Sequence, residues 1–198
     1  LMLRCDLIAN PCEEFMKRDN NPRNLPTGHF TAHIGLYLKI NVFMSCYQDA
    51  VDNLYREVSE GNETADIIAM PLLFMMRHSM ELGYKYTITE ICELSGTSYN
   101  PQNDGHSFRD LHKRLKKEFD TLWQNGGVSD NKKAGFDEYY ELTKTAMTWF
   151  DNEDRRGVNF RYPESGFKHD KKVNLLEVKN KFDEAMTLLT VTVDVITE

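Results

Sequence analysis

The chain is short of the features that mark the most familiar chemistries. Its four cysteines, Cys5, Cys12, Cys46 and Cys92, show no paired metal-ligand spacing, which gives no basis for a cysteine metal site. It has no Gly-rich phosphate loop, no dinucleotide fingerprint, no Gly-x-Ser-x-Gly elbow and no cysteine-nucleophile signature. The enzyme classes those motifs mark are therefore not indicated. His29 and His33 stand four apart, but no Asp or Glu lies beside them in the zinc-protease pattern, so no metal or cofactor is expected. Long apolar runs are also missing. The longest, Ile67 to Met76, is too short to cross a bilayer and contains Pro71, so no membrane partner is expected. Positive charge is in deficit. A net charge of −7 excludes non-specific attraction to nucleic acid or anionic membranes through the overall field, and leaves room only for a local basic groove. No segment reads as a secretory leader, so the expectation is a cytoplasmic protein with reduced, packed cysteines.

What is present is a core. The 198 residues are 40% hydrophobic and 11% aromatic, enough for one folded domain. Residues 1–30, with Pro11, Pro22, Pro26 and Gly28, read as an irregular arm with at most a short ordered piece near Leu1 to Ile8. Residues 31–198 read as the domain. Apolar positions at helical period predict helices from about Thr31 to Ser59, Thr64 to Leu94 (kinked or started at Pro71), Ser107 to Trp123 and Lys133 to Phe150. The run Val158 to Tyr162 before Pro163 reads as β-like, part of a small hairpin or ordered loop. Asn174 and Glu177 form a capping-box pattern that opens a last helix toward Ile196. The fold class is an all-α antiparallel bundle of about five helices.

One helix stands out. Within the most apolar stretch, Arg77, His78, Glu81 and Lys85 are the charged or basic side chains. At about 100° per residue they fall on roughly a quarter of the helix surface, while Leu72, Leu73, Met76 and Met80 fill the rest. Buried charge is costly unless paired. The stripe is therefore either an internal ladder, Arg77 to Glu81 to Lys85 at i,i+4 spacing, or one wall of an anion or phosphate site. His78 is either a base whose pKa its neighbouring cation depresses or a core histidine. Two further elements bear on the choice. Gly105-His106-Ser107-Phe108-Arg109-Asp110-Leu111 opens a helix with His106 near its N-terminus, where anions are favoured. The cations that follow, Lys113 to Lys117, lie mostly on a solvated face. Asn159-Phe160-Arg161-Tyr162-Pro163 flanks an arginine with aromatics, which can stack a base or anchor a loop.

Taken in order, these three elements resemble the HEPN superfamily of helical proteins. Arg77-His78-x-x-Glu81-Leu82-x-x-Lys85 is similar to the RH-x-x-E-L-x-x-K helix of several prokaryotic groups. Gly105-His106-x-x-Arg109-x-Leu111 resembles their G-H-x-L helix start, and Phe160-Arg161-Tyr162-Pro163 their F-R-Y-P loop. The resemblance covers about Thr31 to Thr197. It implies a helical bundle that commonly homodimerises, with roles in phage defence, toxin–antitoxin pairs and RNA handling. Its catalytic members are metal-independent ribonucleases that have an arginine, about four to six intervening residues and a histidine near the last helix. Here seven residues separate Arg161 from His169, and the pair inside that range is Arg23 and His29, in the N-terminal arm.

Two main functions are expected from this reading. In the first, the protein binds RNA or nucleotides and possesses metal-independent ribonuclease chemistry. His78, His106 and Arg77 would be its catalytic groups, and Glu81, Lys85, Arg109, Arg161 and Tyr162 its ligand-binding groups. In the second, it is a non-catalytic, dimerising partner of an antitoxin or effector protein, and the stripe is a structural core network. A third expectation, from the opening Leu1, is an accessory domain of a larger defence enzyme.

Overall fold

The computed structural model describes Ala32, residues 39–162 and residues 171–197. Over the described residues the protein is all helical: α1 (Ile40–Ser59), α2 (Ala65–Leu94), α3 (Phe108–Gln124), α4 (Asp130–Asp154) and α5 (Leu175–Thr197). This is the five-helix bundle that the periodicity predicts. Each helix packs on the next along the chain, and α2 packs on α5 as well. With α1, α3 and α5 around it, α2 is buried on most sides, which is why its sequence is apolar nearly all round. None of the described helices is long and apolar enough to cross a membrane. The expected arm, the His29/His33 and Arg23/His29 pairs and His169 lie outside the described residues.

The helix ends follow local chemistry. Ser107 and Ser129 cap α3 and α4, each hydroxyl accepting the backbone N–H three residues on, from Asp110 and Lys132, at 3.4 Å. The Asn174 Oδ1 accepts from the N–H groups of Leu176 and Glu177, and its Nδ2 donates to Glu177 Oε1 at 3.2 Å. The capping-box residues are thus in place at the start of α5. Three boundaries differ from the sequence reading. Lys39 is extended at φ −80° and ψ 136°, so α1 begins at Ile40 rather than near Thr31. Helix α2 runs through Pro71 from Ala65. Pro71 is exposed, so water can take the carbonyl left without a helix N–H. The β-like run Val158 to Tyr162 is a turn, with the N–H groups of Arg161 and Tyr162 both donating to Val158 O. Alternation over so few residues lost to the preceding aspartate, whose carboxylate organises that turn.

Small residues let α2 sit close to two neighbours. Ser79, Gly83 and Thr87 lie four apart along one side of α2. Ser79 Oγ donates to Met44 O on α1 at 3.2 Å, and Thr87 Oγ1 reaches Leu189 O on α5 at 2.7 Å. A Cβ at Gly83 would lie 3.0 Å from Leu189 Cδ1 and 3.4 Å from Met44 Sδ. Glycine is tolerated mid-helix here because the interhelical gap is filled already. Replacing it tests this: Gly83→Val is expected to lower stability by about 1–3 kcal/mol in urea unfolding, despite removing a helix glycine.

On the other side of α2 the core is aromatic. Tyr84, Phe108 and Phe150 are fully buried together, and His112 stacks on Tyr140 with ring centroids 3.8 Å apart. The Tyr84 hydroxyl meets His112 Nδ1 at 3.0 Å. Burial, opposed by Glu141 and helped a little by Lys144, pushes the His112 pKa down from the ordinary 6.5 to about 4. The folded protein therefore holds His112 neutral where the unfolded chain binds a proton. Stability is full above about pH 6.5 and falls as pH drops toward 4. Between pH 6.5 and 5 the loss due to His112 should be roughly 2 kcal/mol. Denaturant titrations of wild type and His112→Phe across that interval check it: the variant's curve should be distinctly flatter.

Candidate functional site

The polar stripe of α2 closes into a network that spans three segments. Arg77 is 3% exposed. Its Nη1 donates to Glu81 Oε2 at 3.1 Å, its Nε to Asp154 O at 2.8 Å and its Nη2 to His106 O at 2.6 Å. The guanidinium also lies over Phe108, 4.8 Å from the ring centroid. One side chain thus satisfies a carbonyl at the end of α4 and another just before α3. Glu81 Oε1 accepts from Lys85 Nζ at 3.0 Å and meets His106 Nδ1 at 2.7 Å. Burial alone would raise the Glu81 pKa. Hydrogen bonding to Lys85 and its charge, then His106, hold it below the ordinary carboxylate value. With Asp154 Oδ2 3.6 Å from Arg77 Nε, the two buried cations face two buried carboxylates. The group is balanced without an outside anion.

The sequence candidates therefore separate. Arg77, Glu81, Lys85 and His106 come together, with the first three buried and His106 at the edge, its side chain 63% exposed. His78 is elsewhere. Its half-buried ring meets Tyr47 edge-on at 4.5 Å and stacks on Phe74 at 5.9 Å. Its pKa is lowered chiefly by burial; Arg77, Arg161 and Lys85 add to this and Glu81 opposes it. The cation beside it is thus a lesser cause. Arg109 reaches back to buried Asp151, with Nη2 to Oδ2 at 3.5 Å. Arg161 and Tyr162 belong to the turn after α4. There Arg161 Nε donates to Gly157 O at 2.5 Å, and its guanidinium lies 5.8 Å from the ring centroids of both Phe74 and Tyr162.

That turn is where sequence reasoning missed residues. Asp154, fully buried, accepts the N–H groups of Val158 and Asn159 on Oδ1 at 2.7 and 2.9 Å. Gly157 adopts φ +70°, and a Cβ there would sit 3.0 Å from Arg77 Nη1. The turn is thereby pressed against Arg77. Its outer side carries Arg155 and Arg156, both exposed. Together with His106, Ser107, Asn152 and Asn159 they line an open cleft at the N-terminus of α3. Arg155, Arg156 and Arg161 make no ion pair among the described residues, whereas Arg77, Arg109 and Arg114 all do.

The cleft joins two chemical elements. A carboxylate-held imidazole keeps Nδ1 toward Glu81, and its Nε2 makes no hydrogen bond among the described residues. Two arginines without ion-pair partners among the described residues supply positive charge; the N–H groups of Arg109 and Asp110 in the first turn of α3 are already taken by Asp151 Oδ1 and Ser107 Oγ. A second concavity of about 270 Å³, between α4 and α5, is lined mainly by apolar side chains such as Phe136, Leu188 and Val191. Its lysine, Lys132, already donates to Val195 O, so it offers no comparable chemistry. Among the described residues, no three His, Cys, Asp or Glu side chains group as metal ligands. No family model, curated protein or solved structure matches the chain.

Arg77 ties α2, α3 and α4, and its loss leaves the buried Asp154 carboxylate without its nearest cation and removes one donor each from Glu81, Asp154 O and His106 O. Arg77→Met is expected to cost about 3–5 kcal/mol of unfolding free energy by urea titration. Gly157→Ala should cost about 1–3 kcal/mol, from backbone strain and from displacing the guanidinium.

Proposed function

We propose that the protein is a HEPN-like RNA-binding protein whose working site is the cleft beside His106, and that it cleaves RNA there without a metal ion. The observation that carries the reading is the 2.7 Å contact between Glu81 Oε1 and His106 Nδ1. It holds an exposed imidazole at the mouth of a cleft that also bears two arginines without ion-pair partners among the described residues. A carboxylate on Nδ1 selects the tautomer with a lone pair on Nε2. That nitrogen then takes the 2′-hydroxyl proton. The 2′-oxygen attacks the adjacent phosphorus, the bond from phosphorus to O5′ breaks, and the leaving oxygen takes its proton from water. The products are a 2′,3′-cyclic phosphate and a 5′-hydroxyl strand, and His106 returns its proton to solvent. Arg155 and Arg156 stabilise the charge that builds on the phosphoryl oxygens. In this reading Arg77, Glu81 and Lys85 position the histidine rather than touch the substrate.

The second reading is a non-catalytic, dimerising protein of the same defence or toxin–antitoxin setting, acting on an antitoxin or effector partner. The hydrogen bond made by each of the three guanidinium nitrogens of Arg77 supports it, since such a buried network stabilises the fold whether or not the cleft is used.

Labelled single-stranded RNA separates the two. In EDTA, His106→Ala should keep RNA affinity within about threefold and lose about 10²–10⁴ in cleavage rate. Arg155→Ala/Arg156→Ala should weaken binding, and the slope of log K against log salt should shrink by about 1.4. Wild-type protein that neither binds nor cuts RNA would remove the catalytic reading and leave the interaction protein. Cleavage unchanged in His106→Ala would remove the histidine.

A further inference from the structure

The groove between α4 and α5 holds two residues that the packing of the bundle does not explain. Its floor is the stacked pair Phe119 and Phe136, with ring centroids 3.6 Å apart. On its wall, Thr187 and Thr192 donate their hydroxyls to Asp183 O and Leu188 O of their own helix, so the lining stays apolar. Gly135 lies inside α4, where an alanine would favour the helix. Its φ is not positive, and a Cβ there would meet no atom within 4 Å, unlike the filled gap at Gly83. What the missing side chain does is leave the groove open. Lys132, half-buried at the start of α4, donates from Nζ to Val195 O near the end of α5. A carbonyl satisfies one of its three N–H groups and does not neutralise its charge, and Lys132 makes no ion pair among the described residues.

We infer that this groove binds a free carboxylate on a medium-length apolar chain, its head on the Lys132 ammonium and its tail over Phe119 and Phe136 past Gly135. The cleft beside His106 plays no part in it. Lys132 to Tyr139 spans about 10 Å of helix axis, and the volume of about 270 Å³ lies at the small end of ligand sites. Both dimensions suit one chain rather than a bulky ring system. An apolar floor with a single cationic group at one end matches a molecule with one apolar tail and one negative head. Entry is open, because Tyr139 and Val191 in the lining are each 46% exposed. Burial of the tail supplies the affinity. The ammonium selects the sign of the head, against the protein's own net charge of −7.

Isothermal titration calorimetry on the whole chain tests this with octanoate, hexanoate and octylammonium. Octanoate should bind, and hexanoate about tenfold more weakly, since each buried methylene contributes roughly three- to fourfold. Octylammonium, with the same tail and the opposite charge, should bind about tenfold more weakly than octanoate. Lys132→Met should bring those two within about twofold of each other. Gly135→Leu should abolish octanoate binding while melting at or above the wild-type temperature, because its side chain enters open space and suits a helix. Gly135→Ala, too small to fill the groove, should bind as wild type does. The carboxylate site is overturned if folded Gly135→Leu still binds octanoate normally, if wild type binds octylammonium as well as octanoate, or if it binds neither. Light scattering can also overturn it: a wild-type dimer that Gly135→Leu converts to a monomer means that a second copy of the chain fills the groove. RNA binding and cleavage should be the same in Gly135→Leu as in wild type, so the outcome here is read separately from that at the His106 cleft.

Discussion

Arg77 is the constraint on which the rest depends. A guanidinium buried in a helical core is stable only if each face of it meets a partner, and the chain supplies those partners from three segments. Helix α2 supplies Glu81, the end of α4 supplies the Asp154 carbonyl, and His106, two residues before α3, supplies another. Arg77 thus ties the backbone at two helix boundaries into one joint. Removing water from that joint strengthens its charge pairs, and the near equality of buried cations and carboxylates keeps the interior neutral.

Much of the architecture could be read from the chain, because helices announce themselves by period and by caps. The stripe was visible too, since Arg77, Glu81 and Lys85 are spaced to meet on one helix face. Its other half was not. Asp154 and His106 lie 77 and 29 residues from Arg77, and no local rule links positions so far apart. The turn after α4 shows a different failure. Five residues with β-branched and aromatic character read as strand, yet Asp154 Oδ1 captures the N–H groups that a ladder would need. Arg155 and Arg156 drew no reading from the sequence. Their exposure is ordinary; their lack of ion-pair partners among the described residues and their place beside His106 exist only in three dimensions. The start of α1 was also read too early, because Ile34 and Leu38 continue the apolar period before Lys39 turns extended.

Charge is distributed in a way that the bulk figure conceals. The net value of −7 would repel a phosphate backbone if spread evenly. Instead, cations such as Lys116 and Lys133 are spent on Asp120 and Asp137 between α3 and α4, while Arg155 and Arg156 in the turn after α4 make no ion pair among the described residues.

The grip of Arg77 on position 106 is through its carbonyl oxygen, an atom that any amino acid presents. That bond would survive any substitution at position 106, whereas the imidazole's contact with buried Glu81 would not. A codon change there would alter the side chain shown at the mouth of the cleft and leave the backbone tie between α2 and the start of α3 in place.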